Sequence, residues 1–285
     1  MGGYFSKTED TSNEYAQSLG IPNAFELFIP ERMEIYKDVK MLTGPIVVHL
    51  KVAQFEKITK LANDLLSQSF ADCIHKTAEQ MMRRFRPATA YISHGEINLI
   101  FGDNMPFNGN SDKMLSALSS YASSTLTKFL TSAKFDTVLQ RTAYQISGLT
   151  MTGYILDTPN NCEVYNYIML KQTQSVNYAY QTLASMNNIN THDVSINDLK
   201  IVLSGIVKKI PDNILYGTFI KFQEYPCDNE NYNYADGRHN TFYIRKHLNS
   251  ETFKLIGYNE TFASFLTSPV LIPEYPLESL RDWSY

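Results

Sequence analysis

Thr89 to Phe101 constrains the fold more than any other stretch of the chain. Two apolar arms, Thr89 to Ile92 and Ile97 to Phe101, flank the short connection Ser93-His94-Gly95-Glu96. Arms of β-favouring residues around a glycine that can take a positive φ read as a hairpin. A sheet is therefore expected, and the other elements must cover it.

Ahead of the hairpin, Glu31 to Leu42 has the spacing of a short amphipathic helix stopped by Gly44-Pro45, and Ile46-Val47-Val48-His49-Leu50 is the β-branched run of a buried strand. Phe70 to Phe85 places Ile74, Ala78 and Met81-Met82 at helical intervals, and Pro87 closes it. Beyond the hairpin the pattern predicts a helix over Met114 to Leu130, a strand over Leu149 to Asp157 and a long helix over Glu163 to Met186. A smaller helical element follows at Val194 to Val207, and Leu215 to Phe222 and Phe242 to Arg245 read as extended. The loop between them, Cys227 to Asn240, is dense in Asn, Asp and Tyr and long enough to be functional. Residues 1–30 are a polar lead-in, and 31–285 are expected to form one domain with a C-terminal extension. This order gives an α+β fold, a mostly antiparallel sheet backed by helices, which is the layout of polymerase palms.

Composition narrows the class. With 44% hydrophobic and 19% charged residues the chain has the balance of a soluble globular protein, and its apolar runs are too short to span a bilayer. A formal charge of −4 and a pI near 5.9 exclude a strongly basic nucleic-acid coat but leave room for a local basic patch. The three cysteines, Cys73, Cys162 and Cys227, lie far apart without a C-x-x-C spacing, so a disulfide framework and a zinc site are unsupported and a cytoplasmic, reducing location is expected. Met1-Gly2-Gly3-Tyr4-Phe5-Ser6 matches a myristoylation pattern. One acyl chain supported only by Lys7 anchors marginally, so an ordinary N-terminus is the preferred reading, with membrane association only if Gly2 is acylated.

Several segments, in order and spacing, resemble the tRNA(His) guanylyltransferase family of reverse-direction nucleotide polymerases. They run from Glu31-Arg32-Met33 through Ile46 to Phe55, Phe70-Ala71-Asp72 and Ala90 to Glu96 to Leu215-Tyr216-Gly217-Thr218. The resemblance implies a palm-like fold, addition of a nucleotide to the 5′ end of tRNA with two magnesium ions and ATP or GTP, and a homo-oligomer. In that family the first strand ends in Arg-x-Asp-Gly, and the hairpin carries Ser-Asp-Glu. Here these read His49-Leu50-Lys51-Val52 and His94-Gly95-Glu96, so both metal-binding aspartates are replaced and the glutamate remains. The family's Trp-Arg-Gln-x-Asp helix reads Leu170-Lys171-Gln172-Thr173-Gln174, with Asn177 one position early for the asparagine that contacts the triphosphate. Lys171, Gln172, Asn177 and Lys51 are thus the nucleotide- or phosphate-binding candidates. A strand arginine is replaced by Thr152, and a histidine after the first strand by Glu56.

These losses fall on the chemistry. Magnesium is bound through one or two carboxylates plus substrate phosphates, and Gly95 offers no ligand. An ammonium ~4 Å from a divalent ion repels it by about 8 kcal/mol at an effective dielectric near 20. Lys51 has two readings: it pairs with Glu96 or Glu56 across a vacated cleft, or it touches a phosphate directly. No catalytic residue is assigned with Lys51, Gly95 and Glu96 at the site, no cofactor is expected, and Glu96 is only a weak metal candidate. An active enzyme would need magnesium at a remodelled site, with Glu96 and Asp103 recruiting it. Arg83-Arg84-Phe85-Arg86 is a candidate RNA contact or a solvated helix end. Tyr165, Tyr167, Tyr178 and Tyr180 either stack bases or, the preferred reading, pack with their hydroxyls reaching water, His94 reads as an exposed hairpin residue, and His75 as a satisfied or surface histidine.

The leading expectation is a guanylyltransferase-like protein that has lost two-metal transfer and keeps a binding or scaffolding role toward RNA, a nucleotide or a protein. The alternatives are an active tRNA guanylyltransferase or 5′-end repair polymerase, and a membrane-associated assembly protein.

Overall fold

Strand β1, Ile46–Val52, shows how the sheet is buried on both faces. Ile46, Val48, Leu50 and Val52 enter one apolar cluster, whereas Val47 enters another, as the period of two along a strand requires. The computed structural model describes residues 41–53, 55, 68–131, 149–189, 191, 194–204, 210–227, 243–255 and 258–268. After β1 come α1 (Gln68–Phe85), β2 (Thr89–Ser93), β3 (Glu96–Phe101), α2 (Ser111–Thr131), β4 (Met151–Asp157) and α3 (Asn161–Met186). Then follow α4 (Ile196–Ser204), α5 (Asp212–Tyr216), β5 (Thr218–Cys227), β6 (Tyr243–Glu251) and α6 (Glu260–Thr267).

The six strands run in the order β4-β1-β3-β2-β5-β6, every neighbouring pair antiparallel. Helices α1 and α2 contribute Ile74, Met81, Leu118 and Leu126 to the core on one face. Helices α3 and α6 cover the other through Val164, Tyr165, Ile168, Phe262 and Leu266. The α+β sheet and its palm-like layout are as the sequence predicts, except that helices cover both faces. A third cluster joins the C-terminal half of α3 to α4 and α5.

The hairpin, β1 and helices α1 to α4 stand where expected, within a few residues. Leu215 and Tyr216 do not: they end α5, which begins after Pro211 at φ −59 and is turned into β5 by Gly217 at φ 72. Leu42 is not helical either, since Met41 bridges to Asn110 and Leu42 N–H donates to the Gly109 carbonyl at 3.0 Å. The rest of that expected helix, Gly2, the lead-in, Glu56 and residues 228–240 lie outside the described residues. Helix α6 went unforeseen; Asn259 caps it by accepting from Phe262 N–H.

Lys221 of β5 fastens α6 to the sheet. Its side chain is buried, and Nζ reaches the carbonyls of Ala88 (3.3 Å), Phe265 (2.5 Å) and Ser268 (2.6 Å) and the Thr89 hydroxyl (3.0 Å). Burial pulls Lys221 down toward about 7, while four oxygens around one nitrogen favour the ammonium. Among the described residues no helix is long and apolar enough to cross a membrane.

Candidate functional site

Strand pairing brings Lys51 and Glu96 together. The register sets Lys51 of β1 opposite Glu96 of β3 on one side and Thr152 of β4 on the other. Alternation sends His49, Lys51, Glu96 and Asn98 to the face that α3 covers, and α3 places Tyr167 and Lys171, one turn apart, above them.

Glu96 is the centre of the cluster. Lys171 Nζ donates to its Oε2 at 3.0 Å, and Lys51 Nζ stands 3.6 Å from Oε1. The two lysines differ in setting: the Lys171 side chain is 8% exposed and that of Lys51 53%. Burial alone would raise the Glu96 carboxyl, but Lys171, with Lys51 beside it, outweighs that and holds it below its ordinary value.

His49 completes the floor without adding charge. Burial, reinforced by Lys171, lowers its imidazole to about 4, so it is neutral at pH 7. Asn98 Oδ1 accepts from the Tyr167 hydroxyl at 2.8 Å and lies 2.9 Å from His49 Nδ1, which assigns the ring proton to Nδ1. The ring stacks on Tyr154 at 4.7 Å. Two ammonium groups against one carboxylate leave the cluster with net positive charge.

Gly95, which the resemblance sets where an aspartate is expected, has no room for a side chain. Gly95 has φ 77, and a Cβ added there would meet ring carbons of Phe55 at 2.6 and 2.9 Å. His94, at φ 38, is not exposed as expected: its Nε2 is 3.0 Å from the Ser175 carbonyl, its ring lies on Tyr178 at 4.8 Å, and burial lowers it to about 4. Magnesium does not fit this donor set: the one carboxylate is held by two ammonium groups, and the neighbouring position cannot accept a side chain without moving Phe55. Asp103 cannot join Glu96 in holding an ion, because β3 runs between them and separates their Cα atoms by roughly 20 Å. Among the described residues no group of three or more His, Cys, Asp or Glu could hold a metal.

The other candidates separate. Gln172 is spent on structure: Nε2 donates to the Tyr216 and Phe253 carbonyls at 2.9 and 2.6 Å, and Oε1 accepts from Leu255 N–H at 2.9 Å. Asn177, six residues beyond Lys171 on α3, is half-buried, with an Oδ1 that finds no hydrogen-bond donor. Arg83 and Arg84 are exposed in the last turn of α1, and Arg86 lies 4.8 Å above the Phe222 ring, all remote from Glu96. Tyr165 and Tyr167 are buried, and the Tyr167 hydroxyl ends on Asn98 instead of reaching water, so neither ring is open to a base. His75 pairs with Glu79 at 3.5 Å. Cys73 and Cys162 are free thiols, and burial pushes Cys73 up to about 12. Sequence reasoning missed Asn98, Tyr154 and Phe55; alternation in β1 and β3 was the available signal for Asn98.

An antiparallel sheet with these layers of helices is an α+β, palm-like fold. Two solved structures share it, both of a bacterial tRNA(His) guanylyltransferase (Thg1)-like protein, one in complex with ATP and one with GTP. Each is 18% identical with a TM-score of 0.54; the matches cover 67% and 76% of this chain and 84% and 88% of theirs. No curated protein matches the chain in sequence. The family model described as tRNAHis guanylyltransferase (Thg1) matches residues 31–147. Across that stretch the chain is similar to the tRNA(His) guanylyltransferase family.

Proposed function

We propose that this protein has exchanged two-metal nucleotidyl transfer for metal-independent binding of a phosphate-bearing ligand, a nucleotide or an RNA end, at the Lys51–Glu96–Lys171 cluster. The observation that carries this reading is the pair of ammonium groups around the single carboxylate, one of them half exposed. Such a site repels a divalent cation and attracts an anion. Lys171 holds Glu96, Glu96 holds Lys51, and the exposed Lys51 ammonium is the group free to meet a phosphate oxygen. The neighbour structures with ATP and GTP support a nucleotide, and the family name supports tRNA, as ligands to test first. A homo-oligomer is proposed on family grounds alone.

The test is calorimetric titration with GTP and ATP, with and without magnesium, on wild type and Lys51→Ala. Binding that needs no magnesium and weakens at least tenfold in the variant is expected. Binding that requires magnesium, or is indifferent to Lys51, would overturn the reading.

A further inference from the structure

A second site lies at the other end of β3. A cavity of about 510 Å³ opens there, lined by Leu42, Phe85, Arg86, Asp103, Asn104 and Asn108 among others. That volume is within the ~300–1,000 Å³ typical of small-molecule sites. The lining mixes an aromatic ring, a guanidinium, a carboxylate and two amides, and Arg86, Asp103, Asn104 and Asn108 are all exposed.

The backbone around the cavity is held in uncommon conformations. Arg86 has φ 55, Phe107 φ 55 and Asn108 φ 52, the left-handed region that asparagine tolerates and phenylalanine rarely adopts. The loop is pinned on both sides. Asn110 N–H donates to the Phe107 carbonyl at 3.1 Å, Asn110 Oδ1 accepts from Lys113 N–H at 2.9 Å, and the Met41–Asn110 bridge ties it to the chain before β1. Such conformations persist where their surroundings over-determine them, and they concentrate at binding sites. Here they leave the Phe107 ring 44% exposed, 6.5 Å from the Phe85 ring in the cavity wall. Arg83 and Arg84 stand exposed just before that wall.

We propose that this end of the sheet binds a single nucleic-acid strand, with one unstacked base entering the cavity. The Arg86 plane in the lining supplies a face for that base, and the exposed Phe107 ring outside the lining stacks the neighbouring base, while Asn104, Asn108 and Asp103 meet the base edge with amide groups and a carboxylate, the last suited to the amino edge of guanine or cytosine. Arg83 and Arg84 meet flanking phosphates. A protein segment is the less favoured occupant, since three clustered arginines beside an exposed aromatic ring suit alternating phosphates and bases better than a peptide backbone. The site is independent of Lys51.

The experiment is fluorescence anisotropy of the full chain with a labelled single-stranded 12-nucleotide RNA and with its duplex, over a salt series. Wild type should prefer the single strand. Phe107→Ala should weaken binding by roughly 5- to 150-fold, the range for one lost base stack. Replacing Arg83 and Arg84 together by Gln should flatten the salt slope by about 1.4. Photocrosslinking of a 4-thiouridine RNA to wild-type protein, mapped by mass spectrometry, should mark residues within 85–86 or 103–108, a readout that does not depend on any variant folding. Affinity unchanged by Phe107→Ala, crosslinks confined to other regions, or no single-strand binding at all would overturn the proposal.

Discussion

Replacing Glu96 by Gln tests whether the cluster is a buried ionic network or a loose surface contact. At 3.0 Å the Lys171–Glu96 attraction is about 5–6 kcal/mol at an effective dielectric near 20, before desolvation is charged against it. Glu96→Gln removes that attraction and leaves the Lys171 ammonium buried beside a second cation. Breaking a buried pair from one side costs about 3–5 kcal/mol, and because the Glu96 side chain keeps 16% exposure the lower end, about 3 kcal/mol, is expected. In a thermal melt that is a fall of roughly 6–12 °C. Lys171→Met should cost less, about 2 kcal/mol, because Lys51 remains at 3.6 Å to compensate the carboxylate. The double variant, which removes both buried charges, should recover to within about 1 kcal/mol of wild type. Urea denaturation followed by circular dichroism reads all three. If both single variants stay within about 1 kcal/mol of wild type, or their losses simply add in the double variant, the reasoning from burial fails.

The half-exposed Lys51 is expected to change stability by at most about 1 kcal/mol on substitution by Ala, so its effect should appear in ligand titrations and not in melts. Acid should destabilise the fold through His49 and His94. Both are lowered from 6.5 to about 4, so the unfolded chain binds more protons across that interval, and stability present above pH 6.5 is lost as pH falls toward 4, by roughly 3 kcal/mol for each ring. Glu96, held below its ordinary value, adds a further loss at still lower pH. His94→Asn, which tolerates the positive φ, should make the acid limb of a stability–pH curve shallower, and an unchanged limb would contradict the assignment. Gly95→Asp should destabilise by about 2 kcal/mol or more through its φ of 77 and the Phe55 ring, without conferring magnesium-dependent nucleotide binding in calorimetry.

Much of the palm was legible because glycine and proline punctuate it. Gly44-Pro45, Pro87 and Gly95 bound elements whose interiors keep one period throughout, so β1, α1 and the hairpin could be drawn within a few residues. Helix α5 was hidden because two turns or fewer carry no period, and α6 because its stabilising contacts come from β2 and β5, far away in the sequence. In the site, Lys51 and Glu96 could be paired on paper because hairpin and strand positions fixed them. The Asn98–Tyr167–His49 network could not, since it depends on how α3 lies across the sheet. Phe55 over Gly95 was likewise invisible: nothing in a chain of letters says which ring occupies the space an absent side chain leaves.

Lys221 gives the fold a dependence on its own far end. The ammonium is emplaced when β5 pairs with β2, but two of the four oxygens that satisfy it, the carbonyls of Phe265 and Ser268, belong to the end of α6. Until that helix docks, the sheet carries a cation at its surface that water must solvate, and closing it off too early is penalised. A chain cut before residue 260 would therefore be held open at this edge. In this way one side chain couples completion of the last helix to sealing of the sheet, much as a final bolt keeps a frame from being closed around a missing part.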